Sequence, residues 1–171
     1  SNNNNKFNRI KIMIRFQKRP ILVVVGQPTY IRKEAKDKHN EVTVALARYA
    51  MPVGNIFQGG EHSLSAEIVK AVEKIGKCLQ GIELEFNRLP QAPAFTFIVK
   101  AKTERRGDDV HNQELADKIV TAKLNAKACV IARKVLEAIA KCYCNELTFN
   151  NSMCELLDGY VAREHSYIKK M

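Results

Sequence analysis

Across residues 9–16 apolar and polar side chains alternate without a break. Ile10, Ile12, Ile14 and Phe16 fall on one side, Lys11, Met13, Arg15 and Gln17 on the other. A period of two predicts a half-buried strand with a cationic outer face. Lys18-Arg19-Pro20 interrupts it. Residues 21–25 then form a continuous apolar run closed by Gly26 and Pro28, the pattern of a strand buried on both faces. Residues 30–50, polar first and apolar from Val42 to Met51, predict a helix stopped by Pro52. The glycines at 54, 59 and 60 make residues 53–63 a loop.

The next segment is amphipathic at helical spacing. Ser65 is a suitable N-cap for a helix over residues 66–80, with Glu67 in the first turn, where the helix dipole favours an acid. Ile68, Val72, Ile75 and Leu79 share one face; Lys70, Lys74 and Lys77 share the opposite one, and Gly81 is placed to end it. Alternation returns at Ile82, Leu84 and Phe86 and again at Phe95, Phe97, Val99 and Ala101, which predicts an antiparallel hairpin. Residues 103–112 read as a charged loop carrying Arg105, Arg106 and Gly107. A long helical pattern runs on to about residue 146, with a short strand near residues 118–121 as an alternative for its start. Ser152-x-x-Glu155 has the form of a capping box for a last helix over residues 152–170.

These elements predict an α+β fold: a small antiparallel or mixed sheet packed by helices, with a long helix in the C-terminal half. Residues 1–6 form an asparagine-rich polar tail, and residues 7–171 make one α+β domain. A hydrophobic content of 46% against 27% charged residues is enough for a real core. No apolar run reaches the ~18–20 residues needed to span a bilayer, and no signal-peptide pattern opens the sequence, so membrane insertion is not expected.

Charge sharpens the picture. The formal net charge is +10, and Lys6, Arg9, Lys11, Arg15, Lys18 and Arg19 stand in the first twenty residues without a single acid. Clustered positive charge attracts phosphates and gives salt-dependent binding. Five cysteines, an odd number, two of them within apolar helical patterns, point to reduced thiols in an intracellular compartment and not to a disulfide framework. Cys142, Cys144, Cys154 and His165 make a zinc set on paper, but cysteines one residue apart on a helix diverge by ~200°. Asp108-Asp109-x-His111 offers a divalent-metal motif for phosphodiester cleavage without a second ligand cluster. Gly59-Gly60 before a helix is a weak phosphate loop, opposed by Glu61. No catalytic residue, cofactor or metal is assigned from the sequence.

On the long helix, Lys123, Lys127, Lys134 and Lys141 fall within an arc of roughly 40° at ~100° per residue, while Leu124, Ile131, Val135 and Cys142 occupy the neighbouring arc. Such a ridge follows phosphates without reading bases. Glu137 lies beside it and subtracts from it.

Residues 66–139, within a core of 66–147, resemble a divergent double-stranded RNA-binding domain. Leu89-Pro90-Gln91-Ala92-Pro93-Ala94-Phe95-Thr96-Phe97 is similar to the family's Gly-Pro-x-His-Ala-Pro-x-Phe-Thr. Lys123-x-x-Ala126-Lys127 is similar to the start of its second helix, and residues 131–136 to the segment that packs that helix on the sheet. Gln91 stands where the family has its groove-reading histidine, the glycine-rich approach to the second helix is missing, and Leu124 replaces the middle lysine. The resemblance implies shape-based recognition of duplex RNA, with Lys123 and Lys127 on phosphates, Gln91 as the loop contact, and Glu67 or Lys70 at 2′-hydroxyls.

The expected function is therefore non-enzymatic nucleic-acid binding, RNA in preference to DNA. The expected contacts are Lys11, Arg15, Lys18, Arg19, Lys70, Lys74, Gln91, Arg105, Arg106, Lys123, Lys127, Lys134 and Lys141. The alternatives are a structural subunit that docks into a larger particle or homo-oligomer through apolar faces of the long helix, and a metal-dependent nuclease.

Overall fold

Two residues reverse the chain near its start. Gln17 and Lys18 both have positive φ, 50° and 67°, which is what a two-residue hairpin turn matched to the strand twist requires. They join β1 (Met13–Phe16) to β2 (Arg19–Glu34), with Phe16 opposite Arg19. The computed structural model describes residues 12–34, 41–57, 64–79, 82–87, 93–105, 113–142 and 147–170. In β1 the alternation holds where it is described: Ile12 and Ile14 are buried, Met13 and Arg15 exposed.

β2 corrects the sequence reading. It does not stop at Gly26 but continues through Pro28 for 16 residues. The pairing register slips between Val25 and Thr29, and Gly26 sits at φ 73° inside that bulge. A bulge supplies an unpaired position for a proline and a left-handed one for a glycine, so these two residues bend the strand without ending it. The expected double burial also fails toward the end of the run, since Val25 is 46% exposed.

The predicted helix over residues 30–50 is likewise a strand. β3 (Glu41–Pro52) pairs antiparallel with β2 on one side and on the other with β5 (Ala94–Arg105), twelve residues in unbroken register from Glu41↔Arg105 to Pro52↔Ala94. β3 is flanked by strands on both edges and carries apolar or small residues at Val42, Val44, Leu46 and Ala50 on the face away from α3, so its sequence loses the alternation. Val42, Thr43, Val44 and Tyr49 carry the strand preference that the alanines between them hide. Val53–Ile56 forms one helical turn, α1, at the start of the expected loop.

α2 (Ala66–Cys78) has the expected cap, with the Ile68 amide donating to Ser65 Oγ at 3.2 Å. β4 (Leu84–Asn87) pairs with residues 94–97 of β5 as the predicted hairpin. Residues 103–105 belong to β5 and not to a loop. The sheet order is β1-β2-β3-β5-β4, antiparallel throughout.

α3 (Gln113–Cys142) is helical from its first residue, so the short strand near 118–121 does not form. It lies across β5, β3 and β2; α2 packs beside it over β4, and α4 (Leu147–Lys169) packs along it and reaches β1. Ser152 lies inside α4 and does not mark its start. The core fills the space between α3 and one sheet face. Tyr49, Phe95, Phe97, Leu124 and Leu136 are almost fully buried there, and the Tyr49 and Phe97 rings stack at 5.8 Å. The opposite sheet face carries no helix among the described residues.

Candidate nucleic-acid interface

β4 covers only the first four residues of β5. From Ile98 onward, that edge of β5 has no strand neighbour among the described residues. The backbone groups on this edge meet side chains of α3. Lys127 Nζ donates to the Lys100 carbonyl at 2.9 Å, and Lys123 Nζ donates to the Lys102 carbonyl at 3.1 Å. Two residues along a strand span ~6.6 Å and four along a helix ~6 Å, so two lysines one turn apart match successive edge-facing carbonyls. Lysines on an open edge also deter pairing with a foreign strand.

The space between this edge and α3 is a groove of about 810 Å³. Lys100, Lys102, Lys123, Lys127 and Lys134 line it, with His165 from α4. Its apolar floor comes from Val99 and Ala101 on β5, Ala126, Val130 and Ile131 on α3, and Leu79 and Ile82 at the end of α2. No carboxylate and no Phe, Tyr or Trp is among the described lining residues. An ammonium carries three donors; with one given to a carbonyl, Lys123 and Lys127 each keep two for a ligand.

Nearby acids are engaged elsewhere. Glu137 pairs with Arg133, which also holds Asp158 of α4 at 2.9 Å. The carboxylate expected to weaken the lysine ridge is thus tied to a neighbouring cation. The hydrogen bond and charge of Asp158 push the Arg133 guanidinium above its ordinary value. Arg32 Nη2 donates to both Asp117 carboxylate oxygens, at 2.8 and 2.9 Å, between β2 and the start of α3.

Three of the thirteen expected contacts meet in this groove: Lys123, Lys127 and Lys134. Lys141 is exposed one turn group further along α3, outside the lining. Lys70 and Lys74 are exposed on α2 and do not line it. Arg15, Lys18 and Arg19 belong to the β1–β2 hairpin, at the other side of the sheet from β5. These three therefore do not share the groove with the long-helix lysines. Arg105 ends β5; Lys11, Gln91 and Arg106 lie outside the described residues. Lys100 and Lys102 were not singled out from the sequence, and His165 only as a member of a zinc set. The lysines alternate with Val99 and Ala101 at solvent-facing strand positions, a signal that becomes specific only once α3 is placed beside them.

The remaining chemistry is quieter. Cys154 is buried, and burial pushes its thiol up. Cys154 and His165 are eleven residues, ~16 Å, apart along α4, so they do not share a metal. The Cys142 side chain, Cys144, the Asp108-Asp109-x-His111 motif and Gly59-Gly60 lie outside the described residues. No group of three or more metal-ligating side chains occurs among the described residues. None of the described helices is long and apolar enough to cross a membrane.

The fold and the groove define the class: an α+β protein with a helix-backed antiparallel sheet and a lysine-lined groove on one sheet edge. Comparison with protein-family models, with curated proteins and with solved structures found no match for the chain.

Proposed function

We propose that this protein binds nucleic acid through the phosphate backbone, with the groove between β5 and α3 as the contact surface. The observation that carries the reading is the convergence of Lys123, Lys127 and Lys134 of α3 on one groove along the Lys100–Lys102 edge of β5, with no described carboxylate in its lining. Single-strand binders stack bases on aromatic side chains. The absence of Phe, Tyr and Trp from the described lining, where His165 is the one ring, favours a duplex held by its backbone and read by shape. RNA is preferred to DNA on the resemblance of residues 66–139 to double-stranded RNA-binding domains, in which Lys123 and Lys127 are the phosphate contacts.

The test is a salt titration of binding to short RNA duplex, DNA duplex and single-stranded RNA, with the wild type and a Lys100→Gln/Lys127→Gln/Lys134→Gln variant. Each lost phosphate contact should flatten the slope of log K against log salt by about 0.9 on duplex. Binding that ignores salt, or a slope unchanged in the triple variant, rules the groove out.

A further inference from the structure

The geometry points to two phosphate cradles on the open edge of β5, each built from one backbone amide and two lysines, and spaced to hold consecutive phosphates of one nucleic-acid strand. The cradles depend on the nucleic-acid reading above and are the part of the groove that grips the strand.

In an antiparallel strand the N–H and C=O of one residue leave on the same side. The Lys100 carbonyl accepts from Lys127 and the Lys102 carbonyl from Lys123, so the amides of Lys100 and Lys102 lie on that same edge. β4 pairs with β5 only at residues 94–97, and neither amide has a backbone partner among the described residues. The edge of a sheet is a natural anion-binding concavity. At each position the α3 ammonium is held beside the amide, because it is bonded to the carbonyl of the same residue. The Lys100 and Lys102 side chains are exposed. Strand alternation and register send them to the open face of the sheet, beside Leu46 and Val44. An anion seated against the edge therefore meets an α3 lysine on one side, a β5 lysine on the other, and an amide between them.

Spacing selects the occupant. Lys100 and Lys102 are ~6.6 Å apart along the strand, and Lys127 and Lys123 ~6 Å apart along the helix. Adjacent phosphates of one nucleic-acid strand are separated by about the same distance, whereas a free phosphate fills only one cradle. Ala101, between the two positions, and Ala126 across the groove are small and apolar. They leave room for the sugar carbons that join one phosphate to the next. Glu104 follows on the same strand face and ends the track for an anion at Lys102. Lys134 stands seven residues, or ~10.5 Å, beyond Lys127 on α3, past both cradles, and serves a separate phosphate.

Two measurements test the cradles. Backbone amide resonances of the whole chain are followed by NMR as a short RNA duplex is added. The Lys100 and Lys102 amides should move downfield, as N–H groups do on bonding to phosphate. The Val99 and Ala101 amides, which face β3, should stay in place. Salt titrations on duplex then compare the wild type with Lys100→Gln/Lys127→Gln and with a quadruple variant that adds Lys102→Gln and Lys123→Gln. One emptied cradle should flatten the slope of log K against log salt by about 0.9, and two by about 1.8. Four lysines on four separate phosphates flatten it by about 3.6. That outcome, or Lys100 and Lys102 amides that stay still while binding remains salt-dependent, overturns the cradles and leaves the groove. Binding that ignores salt, or a slope unchanged in the quadruple variant, removes the nucleic-acid reading and the cradles with it.

Discussion

Tyr49 on β3 donates its phenolic hydrogen to Asn125 Oδ1 on α3 at 3.0 Å, with both residues no more than 2% exposed. The bond fixes the height and rotation of α3 on the sheet within the buried core. Removing one partner leaves a buried polar group without its mate, whereas removing both does not. Tyr49→Phe should therefore cost about 1–3 kcal/mol, and Tyr49→Phe with Asn125→Leu should cost less than the sum of the two single changes. Urea denaturation of the three variants measures the coupling.

The same layer makes the protein sensitive to alkali. Burial, with a smaller contribution from the charge of Glu164, pushes the Cys129 thiol up to about 12 from an ordinary value of 9.0. Burial also raises the Tyr49 phenol. The folded state holds both protons more tightly than the unfolded chain. The Cys129 contribution is complete below pH ~9 and is lost as pH rises through ~12. Stability should fall on that limb, and Cys129→Ala should flatten it. With the native protein at neutral pH, thiol labelling followed by peptide mapping should find Cys78, which is exposed, modified and Cys129 protected.

The fold was legible where one face of an element meets the core and the other meets water. α2 announced itself through Ile68 and Val72 opposite Lys70 and Lys74, and the β4–β5 hairpin through Phe95, Phe97 and Val99. β3 was illegible for the opposite reason. Paired on both edges by β2 and β5, and apolar at Val44, Leu46 and Ala50 on the face away from α3 as well, it shows Val42 to Met51 as a largely apolar block that a helix would share. Ser152 resembled a cap because its spacing to Glu155 is right, but α4 had already begun at Leu147. Lys123, Lys127 and Lys134 could be aligned from helical periodicity alone. Lys100 and Lys102 join them only through the register of β5 against α3, which periodicity does not encode. The apolar faces of α3, expected to seek an external partner, are satisfied within the chain; among its described large apolar side chains, Val130 is the exposed exception.

Two backbone positions carry opposite predictions. Gly26 has φ 73°, and an added Cβ would meet nothing within 4 Å. Gly26→Ala should thus destabilise through backbone strain alone, by about 1–2 kcal/mol. Lys18 already occupies the left-handed region without being glycine. Lys18→Gly should relieve that strain and stabilise the β1–β2 hairpin by up to about 1 kcal/mol. Thermal melts of the two variants should move in opposite directions.

Arg133 links stability to the proposed function. It stands on α3 between Glu137, on its own helix, and Asp158 of α4. Being exposed, the pair with Asp158 should contribute little to folding, and Arg133→Ala should barely move the melting temperature in moderate salt. Its effect on duplex binding should be larger. Without Arg133, the Glu137 carboxylate is left close to Lys134, and a negative charge enters the field of the groove lysines. Affinity for RNA duplex should drop several-fold at low ionic strength and recover at high salt, where screening shortens the reach of the carboxylate. Glu137→Gln in the Arg133→Ala background should restore low-salt binding. Failure of that rescue, with the fold intact by circular dichroism, would mean that the lysine ridge is not where the phosphates sit.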